Sequence, residues 1–90
     1  MLGQRVITSR QELVQKHRFE NRWVLYKGKI GIATKVGSHL ALFNAVDDGG
    51  YTYLSVAVPL HDLKQAHYTD IPDVRKPTKD RAQYLGYEIN

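Results

Sequence analysis

The segment from residue 22 to residue 66 constrains the fold most strongly, because short β-rich runs alternate there with residues that form tight turns. Runs rich in β-branched, aliphatic and aromatic residues, which favour strands, cover 22–26, 30–36, 40–46 and 51–58. Among the intervening turns, the Asp-Asp-Gly-Gly sequence at 47–50 is the strongest hairpin signal, since glycine readily supplies the positive φ of such turns. The pattern predicts a mainly β fold, a small and strongly bent barrel of about five short strands.

The sequences on either side of this segment predict additions to the barrel. Ser9 and Glu12 have the spacing of a capping box and predict a helix over 10–19. We assign the barrel to 22–68. Residues 69–90 are expected to form an extended connector and then a short helical segment that ends at Gly86. At 90 residues, the chain is long enough for one domain, 1–90.

Composition excludes several classes of site and protein. The chain has no cysteine, so disulfides, thiolate catalysis and cysteine-ligated zinc are excluded. No apolar run is long enough to span a bilayer, and the N-terminal residues lack the apolar core of a signal peptide. We therefore expect a cytoplasmic protein that makes no membrane contact.

Positive charge is concentrated in the N-terminal part of the chain. The formal net charge is +4, but residues 1–36 hold eight basic and two acidic residues, whereas 37–90 hold five basic and seven acidic ones. A basic region favours an anionic partner such as nucleic acid. The alternative is that these charges only solubilise the surface.

Aromatic residues beside these cations give the candidate nucleic-acid contacts. Tyr51 and Tyr53 would stack on bases, and the phosphate contacts would come from Arg22, Lys27, Lys29 and Lys35. The competing interpretation assigns Trp23 and Phe43 to the core and gives the two tyrosines a supporting role on one sheet face.

No pattern typical of a catalytic or metal site occurs in the sequence. Four histidines are present, but none has the spacing of a zinc-binding motif. Asp47 and Asp48 are adjacent and are best explained by the hairpin. We expect a protein without catalytic activity, metal or cofactor. An active site shared across an oligomer pore is an alternative that no motif here supports.

Two segments resemble the SH3-like barrel class, which includes KOW and Tudor-type modules. Residues 26–33 (YKGKIGIA) resemble the core of a KOW motif, with glycines at 28 and 31. Residues 58–64 (VPLHDLK) resemble the one-turn helix before the last barrel strand. The resemblance covers about residues 22–68 and implies a small binding module.

Two functions follow as hypotheses. The first is a binding module that contacts RNA, DNA or a nucleoprotein machine through its basic, aromatic surface. The second is a protein-interaction module, such as an adaptor, an inhibitor or a viral or bacterial accessory factor, that acts through the barrel and the C-terminal tail. Its candidate contacts are Tyr84, Leu85 and Tyr87, because an undocked apolar tail requires a partner. The sequence does not decide the oligomeric state, and a homodimer is one alternative.

Overall fold

The structure, a computed structural model, describes residues 18–89. Its strands are β1 (Arg22–Tyr26), β2 (Lys29–Thr34), β3 (Leu40–Val46), β4 (Thr52–Pro59) and β5 (Leu63–Gln65). Its helical elements are 3-10 turns at Leu60–Asp62, Tyr68–Asp70 and Asp73–Arg75 and the short helix α1 (Lys79–Tyr84). The mainly β fold is confirmed. Of the predicted helix 10–19, only Arg18 and Phe19, both helical, lie among the described residues.

The five strands form one antiparallel sheet in the order β4-β3-β2-β1-β5. Strands β1 to β4 follow one another as a meander, and β5 returns to pair with β1. In the described part of the chain the sheet is open, with β4 and β5 at its two edges. Residues 18–89 contain no helix long and apolar enough to cross a membrane.

Local sequence explains the turns between strands. Lys27 and Gly28 connect β1 to β2 and both have positive φ, as a type I′ hairpin turn requires. In the β3–β4 hairpin, the Gly50 amide donates to the Asp47 carbonyl at 2.9 Å, and Gly50 has a φ of 87°. The predicted hairpin at 47–50 is confirmed.

The segment after β4 is less extended than its sequence suggests. The last strand ends at Gln65, because His67 and Asp70 cap a 3-10 turn with a reciprocal pair of side-chain-to-backbone hydrogen bonds. The connector that the sequence predicts to be extended contains the turn Asp73–Arg75, in which the Arg75 amide donates to the Pro72 carbonyl at 2.8 Å. A proline can begin such a turn because it has no amide hydrogen to satisfy.

Two apolar clusters lie on opposite faces of the sheet. Val24 and Phe43 belong to the first cluster, with Phe19, Val36, Val58 and Leu60. Trp23 belongs to the second, which the C-terminal segment covers with Ile71, Ala82 and Tyr87. Successive strand residues point to opposite faces, so β1 contributes to both clusters. Trp23 and Phe43 are buried, as the core interpretation predicted, but on different sides.

Candidate binding surface

The six predicted nucleic-acid contacts are divided between the two ends of the sheet. Lys29 begins β2 and Lys35 follows its end, and a strand of this length spans about 20 Å. Arg22 pairs with Ala33 and therefore lies near the Lys35 end. The structure groups the other four at the opposite end, where the β1–β2 turn and the β3–β4 hairpin lie: Lys27, Lys29, Tyr51 and Tyr53. We call these four residues the hairpin-end surface.

Arg22 has a structural partner within the chain. Its guanidinium Nη1 donates to the Leu85 carbonyl at 2.7 Å, just beyond the end of α1. A cation that bonds a free carbonyl at a helix C-terminus stabilises that end. Arg22 therefore holds the C-terminal segment on the sheet.

The hairpin-end surface borders an open groove of about 480 Å³. Lys29 and Tyr53 line it, with Gly28, Ile30, Val46, Asp47 and Asp48. Tyr51 is 74% exposed and Tyr53 is 57% exposed, so neither ring is part of the core. The Lys27 ammonium lies 5.4 Å from the centre of the Tyr26 ring, a distance typical of a cation–π contact.

Charges of both signs occur at this end of the sheet. Asp47 and Asp48 line the groove together with Lys29, and Asp47 Oδ1 accepts the Tyr51 amide at 2.9 Å. Arg75 Nη1 donates to the Gly50 carbonyl at 2.7 Å, which anchors the turn Asp73–Arg75 beside the hairpin. Arg75 and Gly50 are 25 residues apart, so no local sequence pattern predicts this contact.

One carboxyl group near this turn has a shifted pKa. A hydrogen bond from Lys76, and secondly the charge of Lys76, lower the pKa of Asp73 below its ordinary value of 3.8. Asp73 is thereby kept ionised and paired with Lys76. It does not border the groove and is not a candidate acid or base for chemistry there.

A second concave region lies at the other end of the molecule. This cleft of about 370 Å³ has an apolar floor of Phe19, Leu60 and Leu63 and a polar rim of Arg18, Ser38, His39 and His61. His61 Nε2 lies 3.5 Å from the carboxylate of Asp62. Among residues 18–89, no three His, Cys, Asp or Glu side chains are arranged to hold a metal ion.

The three predicted partner contacts do not share one surface. Tyr84 is 81% exposed on α1, whereas Leu85 is partly buried and packs against the second apolar cluster. Tyr87 is buried, and its hydroxyl accepts the Trp23 amide at 2.8 Å. The C-terminal segment thus docks on its own sheet, and Tyr87 makes its contacts within the chain.

Strand β4 carries an exposed apolar surface, which sequence reasoning did not single out as a whole. Leu54 is 45% exposed and Val56 is 39% exposed, on the face opposite that of Ser55 and Ala57. Residues 52–57 are all exposed, so both faces of this part of the strand are accessible. One signal was present in the sequence, since residues 49–60 contain no charged residue.

Comparison with protein-family models, with curated proteins and with solved structures gives no match to this chain. The functional interpretation therefore depends on the geometry described above.

Proposed function

We propose that this protein is a non-catalytic binding module of the SH3-like class that contacts single-stranded RNA or DNA through the hairpin-end surface. The class assignment is supported by the meander of β1 to β4, the 3-10 turn Leu60–Asp62 and the return of β5 to β1. A cytoplasmic location, expected from the sequence, remains part of the proposal.

The observation that carries the nucleic-acid proposal is the exposure of two tyrosines beside two lysines. Tyr51 and Tyr53 are more than half exposed, although burial of a ring normally stabilises a small domain. Stacking of one base on an aromatic ring contributes about 1–3 kcal/mol and does not require a particular base. Lys29 lines the same groove as Tyr53, and Lys27 lies two residues away in the β1–β2 turn, so we expect both to contact the phosphates between stacked bases.

The acidic residues restrict where the phosphates can run. Asp47 and Asp48 lie in the same groove as Lys29 and repel an anionic backbone. We therefore expect the phosphates to follow the β1–β2 turn, with the bases directed towards the tyrosines. Binding with this arrangement is modest in affinity and tolerant of sequence.

Fluorescence anisotropy with labelled single-stranded oligonucleotides, at low and physiological salt, tests the proposal. Each phosphate contact contributes a slope of about −0.7 to the plot of log affinity against log salt concentration. Lys29→Ala removes one such contact and should make this slope shallower by about 0.7. Tyr53→Ala should weaken binding by 1–3 kcal/mol, or roughly 5- to 150-fold, at every salt concentration.

Matched controls lie on α1. Lys79→Ala and Tyr84→Ala remove an exposed lysine and an exposed tyrosine far from the hairpin in sequence, and both should leave affinity unchanged. Absence of binding at low salt would contradict the proposal. If the two α1 variants lost as much affinity as Lys29→Ala and Tyr53→Ala, the charge of the whole molecule, and not the hairpin-end surface, would be what attracts nucleic acid.

A second candidate function is protein interaction, and the uncharged, exposed strand β4 specifically favours it. Contiguous exposed apolar surface commonly marks a protein interface. Of the barrel and the C-terminal tail that the sequence suggested for this function, the exposed surface of β4 belongs to the sheet.

A further inference from the structure

The outer edge of β4 presents backbone groups that β3 does not use. The Leu60 amide donates to the His39 carbonyl at 2.9 Å, which fixes the alternation of hydrogen-bonded pairs along the two strands. The pairs that bond are then Ala41–Val58, Phe43–Val56 and Ala45–Leu54. Ser55 and Ala57 therefore direct their N–H and C=O groups away from β3. In the described part of the chain no strand pairs with this side of β4.

Little in the sequence of β4 discourages another strand from pairing there. Edge strands are usually protected by charged side chains, proline or a bulge. β4 has no charge along its whole length. Its protective features are at its ends, namely Pro59 as the last residue and the register shift opposite Ala45 and Val46 that leaves Tyr53 as an extra residue.

The opposite edge of the sheet differs in this respect. β5 has three residues, one of them the charged Lys64, and the C-terminal segment lies against it. Gln65 Nε2 donates to the Gly86 carbonyl at 3.3 Å, and the Tyr68 amide donates to the Glu88 carbonyl at 2.9 Å. Of the two edges of the described sheet, only that of β4 is unprotected. A head-to-tail chain of molecules would need both edges, whereas a two-fold dimer joins the β4 edge of one copy to the β4 edge of the other.

We propose that β4 is a homodimer interface, in which it pairs antiparallel with β4 of a second copy of this chain. Without its final proline, β4 covers residues 52–58, and residue 55 is the midpoint of that range. A two-fold axis at this midpoint pairs Ser55 of one chain with Ser55 of the other and places Leu54 of each chain opposite Val56 of the other. The exposed apolar side chains then cover one another, and no like charges meet because the strand has none. This inference does not depend on nucleic-acid binding.

Ala57→Pro is the sharpest variant for testing this interface. The Ala57 amide points away from β3, so proline there removes a donor of the outer edge and keeps the β3–β4 hydrogen bonds. Two symmetric sites are lost per dimer, and we expect the dimer dissociation constant to rise by about tenfold or more. Val56→Lys should dissociate the dimer by placing two charges in the apolar contact.

Sedimentation velocity of the full chain over a range of concentrations measures the outcome. The wild-type protein should sediment with twice the chain mass of 10.3 kDa, and Val56→Lys should sediment as a monomer. Ala57→Pro should dissociate at concentrations about tenfold higher than the wild type does, or more. Circular dichroism shows whether each variant is folded. Tyr84→Lys, which introduces the same charge at an exposed apolar position of α1, should remain dimeric.

Hydrogen exchange of the Ser55 amide gives a readout that needs no variant. This amide should exchange rapidly at low concentration and slowly when the dimer forms. A wild-type monomer at all concentrations would overturn the proposal. So would a dimer that Tyr84→Lys dissociates and the β4 variants do not. Protection of Ser55 that is independent of concentration in a monomer would show that another segment of the same chain occupies the edge.

Discussion

At the residue scale, Gly31 shows how one position lets the sheet pack. It pairs with Val24 on β1 and Ala45 on β3, and its Cα faces the Phe43 ring. A Cβ at this position would lie 2.8 Å from Phe43 Cε1 and would overlap the Asn44 carbonyl oxygen. The absence of a side chain at Gly31 therefore leaves room for the Phe43 ring of the first cluster.

Gly31→Ala should consequently destabilise the protein. Overpacking of this kind costs about 1–3 kcal/mol, and backbone atoms on one side leave little room for relaxation. Urea unfolding of the variant and of the wild type measures the change. Gly37→Ala is the matched control, because its Cβ would lie 3.6 Å from the nearest atom, the Leu40 carbonyl oxygen. Equal free energies of unfolding for the two variants would contradict the close contact of Gly31 with Phe43 and the Asn44 carbonyl.

At the element scale, the C-terminal segment is fixed by contacts distant in sequence. Thr78 caps α1 by accepting the Arg81 amide, and Gly86 ends the helical segment with a φ of 94°, as its sequence predicts. The segment then docks through Tyr87, whose hydroxyl accepts the amide of Trp23. Local residues thus form the helix, and a buried hydrogen bond attaches it to β1.

Tyr87→Phe tests this attachment with the loss of a single oxygen atom. The buried Trp23 amide would lose its hydrogen-bond acceptor, which costs about 1–3 kcal/mol. Thermal and urea unfolding should both show the loss. Tyr84→Phe removes a hydroxyl from an exposed ring on α1 and should change stability by less than about 0.5 kcal/mol. Equal stabilities of the two variants would contradict the docking.

At the scale of the whole molecule, β1 joins the two apolar clusters. Trp23 belongs to one and Val24 to the other, so neither cluster can open without disturbing the strand they share. The C-terminal segment is consequently part of the same folded unit as the sheet. An arrangement of this kind favours one cooperative transition.

Trp23, the one tryptophan in the sequence, makes this cooperativity measurable. Its fluorescence reports the second cluster, whereas far-ultraviolet circular dichroism reports the whole sheet. We expect the two urea unfolding curves to coincide in midpoint and slope. A fluorescence transition that precedes the loss of sheet signal would show that the C-terminal segment undocks independently.

The sequence by itself determined the two hairpin turns, the ends of α1 and the approximate extent of strands β1 to β4. Gly28, the Asp-Asp-Gly-Gly hairpin and the Thr78 cap act through backbone conformations that depend on neighbouring residues alone. Strand periodicity likewise predicted most of the sheet segments, since alternation is a local property.

Only the tertiary structure decided which of these parts face solvent. It used Arg22 and Tyr87 to hold the C-terminal segment, and it placed β4 at an edge. Each outcome depends on pairing between residues far apart in the chain, which local propensity does not encode. A strand has the same sequence whether it lies at the centre or at the edge of a sheet, and the free energy of its backbone groups depends on which strands pair beside it.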